Sequence, residues 1–183
     1  LGGTLDATNV VKNTIAAVFS SVSRDHMEFL GESLKEIAGN KAGIMKPGCV
    51  VVTAGQKPEV LEVFEQCAGE LGCRIYKADA GKVEILEESW SGQHFTYKNR
   101  TDIHISMAGR YQIVNAVTVL ELIDALQDAG YRIPEESLRK GFEKTVWPGR
   151  FTCISTNPIF IVDGAHNEEA ALCLRESVET YFS

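Results

Sequence analysis

Nowhere in its 183 residues does this sequence carry a glycine-rich phosphate loop of the form G-x-x-x-x-G-K-S/T. Any nucleotide chemistry here therefore proceeds without the element that normally cradles β- and γ-phosphates. No C-x-x-C pair occurs either. The five cysteines, at 49, 67, 73, 153 and 173, are scattered and odd in number, which excludes a disulfide framework or zinc ribbon and suits reduced thiols in a core. Apolar runs such as Cys49 to Ala54 fall far short of the roughly 20 residues of a membrane helix, and the N-terminus lacks the charged-then-apolar pattern of a secretory signal. A cytoplasmic protein without a membrane partner is expected. Basic residues are the minority, 18 against 25 acidic ones, for a formal charge of -7. That balance argues against a nucleic-acid partner, because wrapping phosphates needs a basic face. Repeats and low-complexity segments are absent as well.

What is present is a globular composition, 44% hydrophobic and 23% charged, with enough chain to bury a sizeable core. After a turn-rich opening, the branched residues of Ile15 to Phe19 predict a buried strand. Ser33 can cap a helix running to about Met45, stopped by Pro47-Gly48. Cys49 to Thr53 reads as the next strand. Pro58 opens a second helix that Gly72 closes, and Arg74 to Ala78 returns as a strand. Strand, helix, strand, helix, strand is the pattern of a parallel sheet with crossovers. Between Lys82 and Met107 the pattern changes to short alternating runs, 83–86, 94–97 and 103–105, which predict antiparallel hairpins. Arg110 to Ala129 reads as a long helix closed by Gly130, Pro134 opens a shorter one, and strands follow at 151–155 and 159–162 before a helix from Asn167 to Tyr181. A domain boundary is expected near 150. The residues beyond it are too few to stand alone.

Several stretches carry chemistry. Asp163-Gly164-Ala165-His166-Asn167 lies between an apolar run and a helix, where a strand hands a carboxylate, a glycine and an imidazole to a helix N-terminus. Just upstream, Trp147-Pro148-Gly149-Arg150 sets a guanidinium on a turn. The bland readings are a helix-capping Asp163 and a surface Arg150. His26 follows the first strand and could simply hydrogen-bond in a βα loop. Lys41, near a helix end, could be a solvated lysine facing the helix dipole. Asn115 stands amid an apolar helical face, either to cap a loop or to offer its amide to a ligand. His94 and His104 read as surface histidines, and Trp90, Trp147 and Phe151 as packing residues.

Together these stretches resemble the folylpolyglutamate synthases and the related dihydrofolate synthases of the Mur ligase superfamily. The resemblance rests on five motifs in order: Leu1-Gly2-Gly3-Thr4-Leu5-Asp6-Ala7-Thr8-Asn9; Asp25-His26 followed by Leu30-Gly31; Lys41-Ala42-Gly43-Ile44-Met45-Lys46-Pro47-Gly48; Gly109-Arg110-Tyr111-Gln112-Ile113-Val114-Asn115-Ala116; and Trp147-Pro148-Gly149-Arg150 with Asp163-Gly164-Ala165-His166. Thr4 stands where the family commonly has arginine and Asn40 where it has glutamate. The fold implied is α/β: the later part of a Mur-ligase central ATPase domain over 1–150, with a mostly parallel sheet, flanking helices and a small antiparallel region, then the start of a Rossmann-like C-terminal domain over 151–183.

The activity implied is ATP-dependent addition of L-glutamate to folate, or to dihydropteroate, through an acyl phosphate. By resemblance, His26 binds Mg2+ or Mn2+, and Lys41 becomes a carbamate that holds a second metal ion. Asn115 reads adenine, Arg150 contacts ATP phosphate, Asp163 accepts from the ribose hydroxyls, and His166 lines the same cleft. Leu5, Asp6 and Ala7 contact the pterin substrate. His26, Asn115, Arg150 and Asp163 are expected to converge. Because the sequence starts at Leu1 inside a glycine turn and has no phosphate loop, it is expected to be a fragment that is inactive alone and self-associates, from an enzyme that is monomeric at full length. A peptidoglycan-type or cyanophycin-like ligase, or a non-catalytic nucleotide-binding module, are the alternative readings.

Overall fold

The computed structural model describes residues 3, 4, 6–23 and 30–182. Its contacts divide the chain into two compact units, Leu1–Ala78 with Thr118–Tyr131, and Asp79–Val117 with Arg132–Ser183. Position 150 lies within the second unit.

In the first unit, strands β1 (Ala16–Phe19), β2 (Val50–Thr53) and β3 (Arg74–Lys77) form a parallel sheet in that order, with Ala16 opposite Val50 and Val50 opposite Arg74. Helices α1 (Leu34–Ala42) and α2 (Pro58–Glu70) make the intervening connections. Ser33 starts α1 through a reciprocal capping box. Its hydroxyl accepts from the Glu36 N–H, and the Glu36 carboxylate accepts from the backbone N–H groups of Ser33 and Glu32. Those bonds, with Ser33's first, hold the Glu36 carboxyl below the usual range. Helix α1 ends three residues before the expected Met45, because its last turn tightens. Gly43, Ile44 and Met45 donate to the carbonyls three residues back, at Asn40, Lys41 and Ala42.

Helix α2 buries Val60, Phe64 and Ala68, one face at four-residue spacing. The Phe64 ring lies 4.3 Å from that of Phe19 on β1, and burying a side chain of this size contributes roughly 1.5–3 kcal/mol. Gly72 ends the helix in a Schellman motif: its own N–H reaches the Gly69 carbonyl, and the Cys73 N–H reaches that of Ala68. The motif needs a left-handed residue, and Gly72 has φ +63°.

In the second unit, β4 (Val83–Ser89), β5 (Gly92–Tyr97) and β6 (Arg100–Ile105) form an antiparallel meander in sequence order. Phe95, Tyr97, Ile103 and Ile105 make its buried face. Helix α3 (Arg110–Asp128) belongs to this unit through Val117 and to the first thereafter. Gly130 closes it in a second Schellman motif. Helix α4 (Glu135–Lys144) packs on β6, where Arg139 donates to the carbonyls of Asp102 and Thr101. A hairpin of β7 (Thr152–Thr156) and β8 (Ile159–Val162) leads into α5 (Glu168–Phe182). Ile154, Ile159 and Phe160 on the hairpin and Leu172 on α5 are more than half exposed. No helix among the described residues is long and apolar enough to cross a membrane.

Candidate functional site

Two clusters of the expected residues form, one in each unit. In the first, the opening turn docks on the end of α1. The Thr4 N–H donates to the Asn40 carbonyl at 3.0 Å. A Cβ on Gly3 would run into that carbonyl, and one on Gly43 would run into Thr4, so both positions need glycine for close backbone approach. Asn9 and Lys46 fasten the junction. The Asn9 amide donates to the carbonyls of Gly43 (3.1 Å) and Thr4 (3.3 Å), and the Lys46 ammonium donates to Asn9 Oδ1 at 2.7 Å and to the Gly43 carbonyl at 3.2 Å.

Asp6 caps the 3-10 turn Ala7–Val10 by accepting from the Thr8 hydroxyl and N–H. Those two bonds pull its carboxyl well below the ordinary range. Asp6, Thr8, Ser20 and Lys41 line one open cleft of about 250 Å3. Ala7 is exposed on the same turn. Leu5 and His26 lie outside the described residues. Among the described residues no group of three or more His, Cys, Asp or Glu side chains suits a metal ion. The Mg2+ or Mn2+ expectation therefore rests on His26 and on Lys41 as a carbamate.

In the second unit, Trp147-Pro148-Gly149-Arg150 is a hydrogen-bonded β-turn, with the Arg150 N–H donating to the Trp147 carbonyl. Proline at its second position and a left-handed Gly149 at its third (φ +81°) are what a type II turn demands. The turn presents Arg150 to solvent. Arg150, Trp147, Met107, Tyr111, Gln112 and Asn115 line a cleft of about 360 Å3. Asn115 is exposed. Its Nδ2 donates to Gln112 Oε1 at 3.1 Å, which leaves its carbonyl oxygen and a second N–H for a ligand.

Asp163 stands behind this cleft as a tie. Its Oδ2 accepts from the Phe151 N–H (2.7 Å) and the Tyr111 hydroxyl (3.3 Å), and its Oδ1 accepts from the Ala165 N–H (2.8 Å). Burial first, then the Asp163 charge and the hydrogen bond to it, push the Tyr111 phenol up to about 12. Phe151 sits at φ +47°, a conformation rare for a bulky residue, and the carboxylate holds its N–H there. The Gly164 N–H bonds the Gly149 carbonyl at 2.8 Å and draws the two motifs together. His166 is exposed, with Nδ1 2.8 Å from the Gly164 carbonyl. Asn167 caps α5 by accepting from the Ala170 N–H.

A family model for the Mur ligase middle domain matches residues 4–123. The chain belongs to that family. It is 36% identical, over its whole length, to the dihydrofolate synthase/folylpolyglutamate synthase of Bacillus subtilis, and spans 44% of that protein. A solved FPGS–AMPPCP–folate complex superposes with a TM-score of 0.89 at 28% identity, over all of this chain and 46% of that one. The folylpolyglutamate synthase of Thermotoga maritima gives 0.83 at 32% identity, over all of this chain and 42% of that one. The chain thus spans less than half the length of these relatives.

Of the expected site residues in this Mur ligase middle domain chain, Asn115 and Arg150 share one cleft, Asp163 is bonded to a third residue of it, and Asp6 and Lys41 share another. Asn9, Lys46, Tyr111 and Gln112 take part in these sites without a role that the sequence alone assigned. Asn9, Lys46, Tyr111 and Gln112 all sat inside the quoted motifs, so the only signal available for them was co-occurrence with the named residues.

Proposed function

We propose that this chain is the nucleotide-receiving part of an ATP-dependent ligase that joins L-glutamate to folate, and to dihydropteroate where the enzyme is bifunctional. The observation that carries this reading is the shared cleft of Asn115 and Arg150 in a chain similar throughout to folylpolyglutamate synthases. In such a ligase the substrate carboxylate attacks the γ-phosphorus of ATP and ADP departs. The glutamate amine then displaces phosphate from the acyl phosphate, leaving the amide. Catalysis of this kind is mostly positioning and charge neutralisation. The free amide groups of Asn115 match a purine edge, and the Arg150 fork matches phosphate oxygens.

Asp163 has a narrower role than expected. Three internal donors occupy it, and a carboxylate has about four acceptor positions, so at most one position remains for a ribose hydroxyl. His166 belongs to the same loop. In the other cleft, Asp6 and Ala7, with Leu5, face the pterin, while Lys41 as a carbamate and His26 take Mg2+ or Mn2+. Residues 1–150 then belong to the central domain and 151–183 open the C-terminal one. The cytoplasm is the expected location. The exposed apolar side chains of β7, β8 and α5 support self-association of this chain alone.

The test uses an enzyme containing this chain. ADP formation should require both folate or dihydropteroate and L-glutamate, and should fall at least about tenfold in Arg150→Ala, the loss of roughly 1.4 kcal/mol of phosphate contact. ADP formation that responds only to a muramoyl-peptide or aspartyl-peptide acceptor would overturn the folate reading in favour of another Mur-type ligase. Nucleotide binding without turnover on any acceptor would favour a non-catalytic module.

A further inference from the structure

Gln93 is fully buried on β5, a polar side chain on the same inward face as Phe95 and Tyr97. Its Nε2 donates to the carbonyls of Met107 (2.9 Å) and Gly109 (3.0 Å), so both amide protons are committed to the turn that precedes α3. Its Oε1 has no hydrogen-bond partner among the described residues. Rotating the amide would set that oxygen against two carbonyl oxygens, so the network fixes its orientation. A buried acceptor left unpaired costs about 1–3 kcal/mol. A fold that tolerates this cost gains something from the two bonds on the other side of the amide.

The gain is a rigid Gly109. Its carbonyl also accepts from the Gln112 N–H at 2.9 Å, and its N–H donates to the Tyr181 hydroxyl at 3.0 Å. Its φ of +95° is a glycine conformation, and a Cβ there would meet the Tyr111 ring. From Gly109 the constraint passes along the first turns of α3. Gln112 is fixed through its N–H, and its side-chain oxygen in turn accepts from Asn115.

We propose that Gln93 is a positioning residue that sets the base selectivity of the Asn115 cleft by clamping the turn 107–109. This rests on the reading that the cleft receives a purine nucleotide. Phosphate contact is assigned to Arg150, which Gln93 does not bond, so loss of the clamp should blur adenine against guanine more than it weakens nucleotide binding as a whole.

The experiment compares wild type with Gln93→Met, which keeps the shape without donors, and Gln93→Glu, which in so buried a place stays protonated and can donate one bond. Dissociation constants are measured for AMPPCP and its guanine counterpart, and backbone amide exchange is followed over 107–115 without nucleotide. In Gln93→Met the guanine-to-adenine ratio should fall about tenfold, the scale of one net hydrogen bond's worth of discrimination, and exchange should quicken over 109–115. Gln93→Glu should be intermediate in both. An unchanged ratio in a folded variant that binds nucleotide, or unchanged exchange, overturns the proposal. So does loss of the fold in both variants, which would make Gln93 a core requirement and nothing more. A wild-type chain that binds neither nucleotide refutes the functional reading instead, and the exchange comparison still decides the role of Gln93.

Discussion

Replacing Asp163 with alanine should unfasten the Arg150 turn from the helix that carries Asn115. The carboxylate holds two backbone N–H groups at 2.7 and 2.8 Å and one phenol at 3.3 Å. Hydrogen bonds to a charged group contribute about 1.5–3 kcal/mol each, and the two short ones dominate. The residue is only half-buried, so water recovers part of the loss, and a destabilisation of about 2–4 kcal/mol is expected. For a chain of this length each kcal/mol lowers Tm by roughly 2–4 °C, so thermal unfolding followed by circular dichroism should shift down by roughly 5–15 °C. Asp163→Asn, with one acceptor oxygen in place of two, should lose about half as much. A companion readout separates this tie from general weakening: without the neighbouring charge, the Tyr111 phenol should titrate lower than in wild type, although burial still holds it above the usual value. A stability change under about 0.5 kcal/mol, the size of an ordinary surface substitution, would refute the reasoning.

The Tyr111 phenol also sets an alkaline limit. Its proton is held in the folded state to about 12 against an ordinary 10, so the stability it supports is complete below pH 10 and declines as pH rises through 12. Tyr111→Phe should flatten that limb in denaturant melts taken at several alkaline pH values, and an identical limb would count against it. Lys46→Met should free the opening turn from α1, which limited proteolysis would detect as faster cleavage within residues 6–15, while equal rates would show that Lys46 fastens nothing. Gly43→Ala forces a Cβ into Thr4 and should destabilise by about 1–3 kcal/mol, the usual range for overpacking. A neutral result would mean that the turn docks differently. Sedimentation of this chain at high concentration should show self-association through the exposed side chains of β7, β8 and α5, and a monodisperse monomer would contradict it.

Local signals carried the fold. Ser33, Pro58, Gly72 and Gly130 each mark a helix end through the backbone bonds they complete or spare, and all four stand where the sequence placed them. The alternating runs marked the hairpins, although β4 extends to Ser89 and β5 starts at Gly92, beyond the apolar positions that revealed them. Periodicity says which way a side chain points, but not which distant carbonyl an inward polar side chain will serve. Gln93 and Asn9 are such cases, because the Met107, Gly109 and Gly43 carbonyls they reach belong to turns more than a dozen residues away. Asp163 was recognisable as important, but its internal duty was not, since the Phe151 N–H and Tyr111 hydroxyl reach it only through the hairpin and the start of α3.

The central claim is that Asn115 and Arg150 receive one nucleotide between them. Calorimetric titration of AMPPCP into the wild-type chain, Asn115→Ala and Arg150→Ala tests it most directly. Binding should weaken about tenfold or more in each variant, the loss of roughly 1.4 kcal/mol of contact with the nucleotide. Equal affinity in all the proteins, or a loss in only one of the two single variants, would contradict the account.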